Sequence, residues 1–298
     1  MEMLNKINQI CETKQNVNLK TLCTIRIGGI GAWVCYPKNI SELKKLVNFL
    51  IKNNICFYVV GNGSNIIFED GGVNEVLIVL KKMSNFKIKK NKVYAEAGFN
   101  LFALNFVCLN NCLSGLEWSY GIPASIGGAI AMNAGAYGHE IKEFIKDVWV
   151  LKDGKIKKYK AQNMCFGYRK SKVQGTKDII VKATFVLQKG NAEEIKKKQE
   201  QIFAYRKCCQ PYNTFNAGSI FKKINNESAG KTIDKQGLKG VKIGNIQISN
   251  IHANFFVNLG NGTSADLHKL INLTKSEVLK KTGNVLEEEV IFIGNKKE

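Results

Sequence analysis

The sequence predicts an α+β fold, and three observations carry that expectation. Helix and strand signals follow one another irregularly, without the βαβ rhythm of a doubly wound parallel sheet. Two turn signals, Lys90-Asn91 and Asp153-Gly154, sit between strand-like runs and so join antiparallel strands. The chain has 298 residues, which at about 150 per domain allows two domains.

The elements follow in order. Residues 39–54 read as a helix: Asn39 can cap it, Glu42 stands at the third position, and Leu43, Leu46, Val47 and Leu50 make one apolar stripe. Residues 55–60 and 76–80 read as buried strands. Residues 87–97 form the first hairpin, and residues 101–112 a short helix. Residues 147–159 form the second hairpin, with Asp-Gly as its strong turn signal. Residues 178–188 read as a long strand and 191–206 as a polar-faced helix. That helix marks the join to a second region beginning near Cys208. Residues 263–281 form a helix with Thr263 and Asp266 at its start, and residues 285–293 a final strand.

Composition narrows the function classes. Hydrophobic residues make up 45% of the chain, enough for a packed core. Residues 1–15 are polar and do not read as a secretory signal. No run of about 20 apolar residues occurs, so no membrane span is expected. A cytoplasmic protein is the expectation. The nine cysteines form no CxxC pair, and the spacings of Cys108 to Cys112 and of Cys208 to Cys209 match no zinc pattern. Free buried thiols are expected. The three histidines lie far apart, so no metal site is expected.

The formal net charge of +20 raises a basic nucleic-acid-binding module as one reading. The basic residues are dispersed Lys, however, with Arg only at 26, 169 and 206. There is no clustered Arg and no RNP-like aromatic motif. A positive field would still gather an anionic small molecule.

Two segments carry the first chemical signal. Gly61-Asn62-Gly63-Ser64-Asn65 follows directly on the strand at 55–60. Glycines one apart let successive N–H groups converge on an anion, and Ser64 and Asn65 add side-chain donors. A pyrophosphate suits such a turn, although an ordinary strand connection would read the same. Residues 121–138 are dominated by Gly and Ala and read as a packed loop. They let the backbone lie close against something flat or against another backbone, and Asn133 and Tyr137 are the polar exceptions. There is neither a GxGxxG nor a P-loop, so a nucleotide would not be held in the usual helix-dipole manner.

Further along, Tyr168-Arg169 places a guanidinium that can grip a carboxylate with two parallel bonds, which Lys cannot do. Gly218 lets the chain turn tightly and present Ser219. No Gly-x-Ser-x-Gly elbow occurs, and no His lies near in sequence, so a hydrolase triad is not indicated. On the strand at 285–293, alternation would put Glu287 and Glu289 on one face and Glu288 on the other. Both faces are partly apolar, so at least one carboxylate is expected to be half-buried. Lys207, just before Gln210-Pro211, could meet a diphosphate.

These motifs, taken in order, resemble the UDP-N-acetylenolpyruvoylglucosamine reductase (UDP-N-acetylmuramate dehydrogenase) family. The resemblance starts at Thr24-Ile-Arg26-Ile-Gly-Gly29 and runs through both Gly-rich segments and Phe166-Gly-Tyr-Arg-Lys-Ser171. It resumes at Asn216-Ala-Gly-Ser-Ile-Phe-Lys222 and Ala229-Gly-Lys231. It goes on through Gly237-Leu-Lys-Gly240 and Ile248 to Asn258, and ends at Leu286-Glu-Glu-Glu-Val290. It implies an FAD-binding domain of the vanillyl-alcohol-oxidase (PCMH) type, made of two α/β subdomains, plus a C-terminal α+β substrate-binding domain. Subdomains are expected at 1–80, 81–207 and 208–284, with the strand from 285 returning to the first.

The resemblance also implies the chemistry. NADPH would reduce non-covalently bound FAD, and the reduced cofactor would then reduce UDP-N-acetylglucosamine enolpyruvate, a UDP-sugar enolpyruvyl ether, to UDP-N-acetylmuramate in peptidoglycan synthesis. Arg169, Ser219 and Glu289 are the implied catalytic residues: Arg169 on the enolpyruvyl group, Ser219 as proton donor, Glu289 pairing with Arg169 or Ser219 across the intermediate. The implied cofactor contacts are Arg26, Gly61, Asn62, Gly63, Ser64, Asn65, Gly121, Pro123, Ser125, Gly128, Asn133, Gly135 and Tyr137. Tyr168, Lys207 and Lys223 are implied substrate contacts. A monomer is expected.

The chain departs from the family pattern at Ile30, Ala124, Lys223 and Ile224, none of which removes a reacting group. Residues 171–191 hold little more than one strand, which places the chain in the short-loop, type II class. A rival reading is another FAD-dependent oxidase of the same domain group. Those often attach flavin through His or Cys, and neither residue occurs in the two Gly-rich segments.

Overall fold

A computed structural model describes residues 2–225 and 227–295. It divides the chain into two compact units. One comprises residues 1–14, 34–62 and 76–205, the other 15–33, 63–75 and 206–298.

The first unit is built on a five-stranded antiparallel sheet, in the order Lys155–Lys160, Ile145–Lys152, Ile179–Val186, Lys92–Glu96, Phe86–Lys89. Both expected hairpins are present. Lys90 and Asp153 adopt positive φ at their turns, and Gly154 follows at φ 71°. Val93, Ala95, Val148, Val150, Val181, Ala183 and Phe185 face the core. The helix Ile40–Lys52 forms as expected: the Asn39 side chain accepts from the Glu42 N–H at 2.9 Å, and Leu43, Leu46, Val47 and Leu50 are buried. Each such side chain contributes about 1.5–3 kcal/mol on leaving water. Phe57–Val60 pairs in parallel with Val76 to Val79 and delivers the chain to Gly61. It is the edge of a four-stranded sheet whose other strands are Val73–Val79, Ile30–Tyr36 and Glu12–Asn18.

The small-residue segment differs from the loop expected of it. Ile126–Ala131 is a helix, capped by the Ser125 side chain, which accepts from the Gly128 N–H at 3.2 Å. It packs against Ile179–Val186. Gly127 also lies close against Ala97, where a Cβ would fall 2.9 Å from the Ala97 Cβ. The thiols also differ in part from expectation. All nine are free, but Cys56, Cys165 and Cys208 are exposed.

The second unit holds an antiparallel sheet in the order Phe215–Ser219, Phe255–Asn258, Ile246–Ile248, Lys242–Ile243. The helix Ser264–Thr282 buries Leu267, Leu270, Ile271 and Val278. Thr263 caps it as expected, accepting from the Asp266 N–H at 3.0 Å. The Asp70 carboxylate adds two bonds, from the Ser264 N–H at 2.9 Å and the Ala265 N–H at 3.0 Å. A negative group there complements the helix dipole. Gly283 closes the helix at φ 70°.

The final strand is shorter than expected. Only Ile291–Ile293 is a strand, paired in parallel with Ile66–Phe68. The reason is a change of partner. At residues 287–289 the backbone bonds to residues 220–222, and from Ile291 onward it bonds to residues 65–68. Leu286 and Val290 are buried, whereas Val285 is 74% exposed, so the strict alternation read from sequence fails at its start.

Candidate functional site

In the first unit, the turn after Phe57–Val60 lies against the small-residue segment. A Cβ on Gly61 would fall 2.2 Å from the Ser125 Oγ, so any larger residue would push that hydroxyl out of place. The Asn62 amide donates to the Pro123 carbonyl at 3.3 Å. Gly61, Asn62, Gly121, Pro123, Ser125 and Gly128 are therefore gathered in one place. Ser125 itself is buried and committed to its helix cap.

Asn133 is fully buried and does not project outward. Its Nδ2 donates to the Gly167 carbonyl at 2.9 Å, and its Oδ1 accepts from the Lys142 N–H at 3.4 Å. It ties the end of the small-residue segment to the Tyr168-Arg169 turn. Gly167 and Lys170 exchange backbone bonds of 3.0 and 3.1 Å, which leaves Tyr168 and Arg169 at the tip of a tight turn. Arg169 sits at φ 53° and donates from Nη1 to the Gly135 carbonyl at 3.2 Å. Its guanidinium lies 5.3 Å from the Tyr168 ring centre. Tyr137 stands on the turn between Gly135–Ala136 and His139–Glu140, exposed, with its ring edge-on to Tyr205 at 5.8 Å.

In the second unit, Gly63 at φ 65° packs on the backbone of Leu22 and Cys23, where any Cβ would clash. The Thr24 N–H donates to the Gly63 carbonyl at 3.1 Å, and the Thr24 hydroxyl to the Asn216 carbonyl at 2.6 Å. The Asn258 amide holds the next turn through the Ile25 and Arg26 carbonyls at 2.9 and 3.2 Å. Arg26, at φ 56°, lays its guanidinium 4.0 Å from the centre of the Phe215 ring. Ser64 is half-buried in the same turn.

Ser219 ends the strand Phe215–Ser219, opposite Phe255 and just after a bulge at which Gly218 takes φ 76°. A Cβ on Gly218 would meet nothing within 4 Å, so the positive φ, not crowding, calls for glycine. The Glu289 N–H donates to the Ile220 carbonyl at 2.7 Å. Ser219 and Glu289 are thus brought together at the backbone, one residue apart across the pair. Asn65 grips the Glu289 side: its Nδ2 donates to the Glu289 carbonyl at 3.0 Å, and its own carbonyl accepts from the Ile291 N–H at 3.0 Å. Glu287 pairs with Lys222, and Glu288 with Lys275 at 2.7 Å. Glu288 and Glu289 are half-buried, and Lys207 and Lys223 are exposed. Sequence reasoning assigned no part to Asn254 or Asn258, although both lie in the quoted stretch from Ile248 to Asn258. Their bonds to residues 220–221 and 25–26 were the missing signal.

Two family models match the chain. An FAD binding domain covers residues 32–159, and the UDP-N-acetylenolpyruvoylglucosamine reductase C-terminal domain covers residues 210–293. The reductase of that name from Lactobacillus johnsonii is 39% identical over 100% of both chains. The chain belongs to the UDP-N-acetylenolpyruvoylglucosamine reductase family. A relative of the same name from Streptococcus thermophilus is 40% identical over 93% of this chain and 92% of its own. The crystal structure of UDP-N-acetylenolpyruvylglucosamine reductase from Thermus caldophilus matches at a TM-score of 0.81 and 32% identity, over 95% of this chain and 98% of that one. An alkyldihydroxyacetonephosphate synthase, 14% identical at a TM-score of 0.50 over 63% of this chain and 41% of that one, shares the fold alone.

This reductase is an FAD-dependent oxidoreductase of peptidoglycan synthesis that reduces UDP-N-acetylglucosamine enolpyruvate to UDP-N-acetylmuramate. The full-length identity also decides against the oxidase and nucleic-acid-binding readings. The residues of the first unit fit FAD. Gly61, Gly121, Gly127, Gly128 and Gly135 are partly accessible and carry no side chain, which leaves bare backbone for a flat, phosphate-bearing molecule. Among the described residues, no helix is long and apolar enough to cross a membrane.

Proposed function

We propose that NADPH is the electron donor, and that Arg169, Ser219 and Glu289 act on the enolpyruvyl group. The observation that best supports this reading is the 2.7 Å bond from the Glu289 N–H to the Ile220 carbonyl, which holds a carboxyl-bearing residue beside the residue after Ser219. FAD, when bound, supplies the two-electron chemistry. Arg169 grips the substrate carboxylate and stabilises the charge that develops as the vinyl group is reduced. Ser219 Oγ protonates the carbon that becomes an enolate. A hydroxyl is a weak acid, and an enolate carbon is basic enough to take its proton when the two are held in line. Glu289 pairs with Arg169 or Ser219 across the intermediate.

The cofactor contacts proposed are Arg26, Gly61, Asn62, Gly63, Ser64, Asn65, Gly121, Pro123, Ser125, Gly128, Asn133, Gly135 and Tyr137. For Asn65, Ser125 and Asn133 the contribution is through the backbone they hold in place, since their side chains bond within the protein. Tyr168, Lys207 and Lys223 are proposed to meet the UDP-sugar. The working form is a cytoplasmic monomer with functional subdomains at 1–80, 81–207 and 208–284 and the final strand returning to the first.

Two measurements test this reading. Purified protein should show a flavin spectrum, bleach under anaerobic NADPH, and recover its yellow colour when the enolpyruvyl nucleotide is added. Bleaching by NADH alone would displace NADPH as donor. Gly61→Val should weaken FAD binding at least about tenfold, or ~1.4 kcal/mol. The new side chain displaces Ser125 Oγ from its cap, itself worth about 1 kcal/mol. Fluorescence titration of apoprotein measures it, and an unchanged affinity would remove the 61–62 turn from the cofactor contacts.

A further inference from the structure

We infer that Asn254 is a positioning residue for the Ser219 hydroxyl. The inference rests on the reading of Ser219 as proton donor. The sheet pairing of Ser219 ends opposite Phe255. Beyond it, Asn254 continues the pairing with its own side chain. Its Oδ1 accepts from the Phe221 N–H at 2.9 Å and its Nδ2 donates to the Phe221 carbonyl at 2.8 Å, so one amide reproduces both bonds of a strand pair. The Asn254 carbonyl also accepts from the Ile220 N–H at 2.8 Å. The amide is buried, where bonds of this kind are costly to lose.

The other edge of the same segment is held by backbone bonds and by the Lys222–Glu287 ion pair. Ile220 accepts from the Glu289 N–H at 2.7 Å, and the Lys222 N–H donates to the Glu287 carbonyl at 2.8 Å. Ile220 and Phe221 are buried, whereas Ser219 remains partly accessible. On the N-terminal side, Gly218 gives no steric restraint: a Cβ there would touch nothing. The Gly218 N–H is tied to the Asn216 Oδ1 at 2.9 Å, so the Ser219 side chain is directed from both sides, and on its C-terminal side by the residues that Asn254 grips. His252 supports the grip. Burial holds its imidazole below the usual pKa range, and the neutral Nδ1 accepts from the Asn254 N–H at 3.2 Å. Asn254 touches Ile220 and Phe221 and acts on Ser219 through them.

The test uses the full-length flavoprotein carrying Asn254→Ala or Asn254→Asp, each alone and combined with Ser219→Ala. Asn254→Asp keeps the acceptor for the Phe221 N–H and sets a carboxylate against the Phe221 carbonyl. Amide exchange at residues 220–222 should speed up in both single variants, while FAD affinity and the rate of flavin reduction by NADPH stay within about twofold. Reoxidation by the enolpyruvyl nucleotide should slow by about ten- to a hundredfold, as small misplacements of a reacting group do, with KM little changed. In the Ser219→Ala background the further loss should shrink below about threefold, because the two residues act as one unit.

An undiminished loss in that background would overturn the inference, as would equal slowing of both half-reactions. So would loss of FAD binding by both variants, which would make Asn254 a residue for the unit as a whole. If Ser219→Ala alone reoxidises at the normal rate, the proton-donor reading fails first, and the inference falls with it.

Discussion

Ser219→Ala should leave flavin reduction by NADPH intact and slow reoxidation by the enolpyruvyl nucleotide by about a hundred- to ten-thousandfold, the span typical of losing a positioned general acid. The size follows from what the position allows. The residue before Ser219 is a glycine at φ 76°, and the two after it are buried and bonded on both edges. A water molecule filling the space left by the hydroxyl would be held by none of these restraints. It could still protonate an enolate, but without the fixed approach that makes the step fast. The backbone bonds at Ile220 and Phe221 do not involve the hydroxyl, so the substitution should cost little stability. Stopped-flow absorbance separates the two half-reactions. Equal losses in both would mean that Ser219 serves the cofactor or the fold and not the proton.

What the sequence could reveal depended on the range of the interactions involved. The helix Ile40–Lys52 and both hairpins were legible because their caps, stripes and turn residues are local. The helix Ile126–Ala131 was not, because a run of Gly and Ala carries no amphipathic stripe and its cap lies inside the same small-residue segment. The last strand was over-extended because alternation cannot show where a chain changes partners, as it does between Glu289 and Ile291. Asn133, Asn65 and Asn254 show the same limit at the site. Each looks like a polar group available to a ligand, and each spends its side chain on a backbone carbonyl distant in sequence. The ordered set of motifs still identified the family, because it samples the whole chain rather than any one contact.

Arg169→Lys should reduce the second half-reaction by about a hundred- to a thousandfold, the cost typical of removing a preorganised donor from a developing negative charge. The substitution isolates the head group. Both side chains are unbranched, so the positive φ at 169 strains them equally. The turn is held without the guanidinium: Gly167 and Lys170 close it, Asn133 fixes the Gly167 carbonyl, and the Gln174 amide donates to the Arg169 carbonyl at 3.0 Å. A guanidinium has five donors in a planar fork, so it can serve several acceptors at once, the Gly135 carbonyl among them, and two of its donors are parallel as a carboxylate requires. A lysine ammonium has three donors radiating from one atom and cannot set two of them in parallel against a carboxylate. If the charge alone mattered, the variant would turn over within about threefold of the parent, since Coulomb attraction at a given distance is the same for both. If the fork matters, raising the substrate concentration will not restore the rate, because the missing bond forms most strongly as charge builds on the enolpyruvyl group.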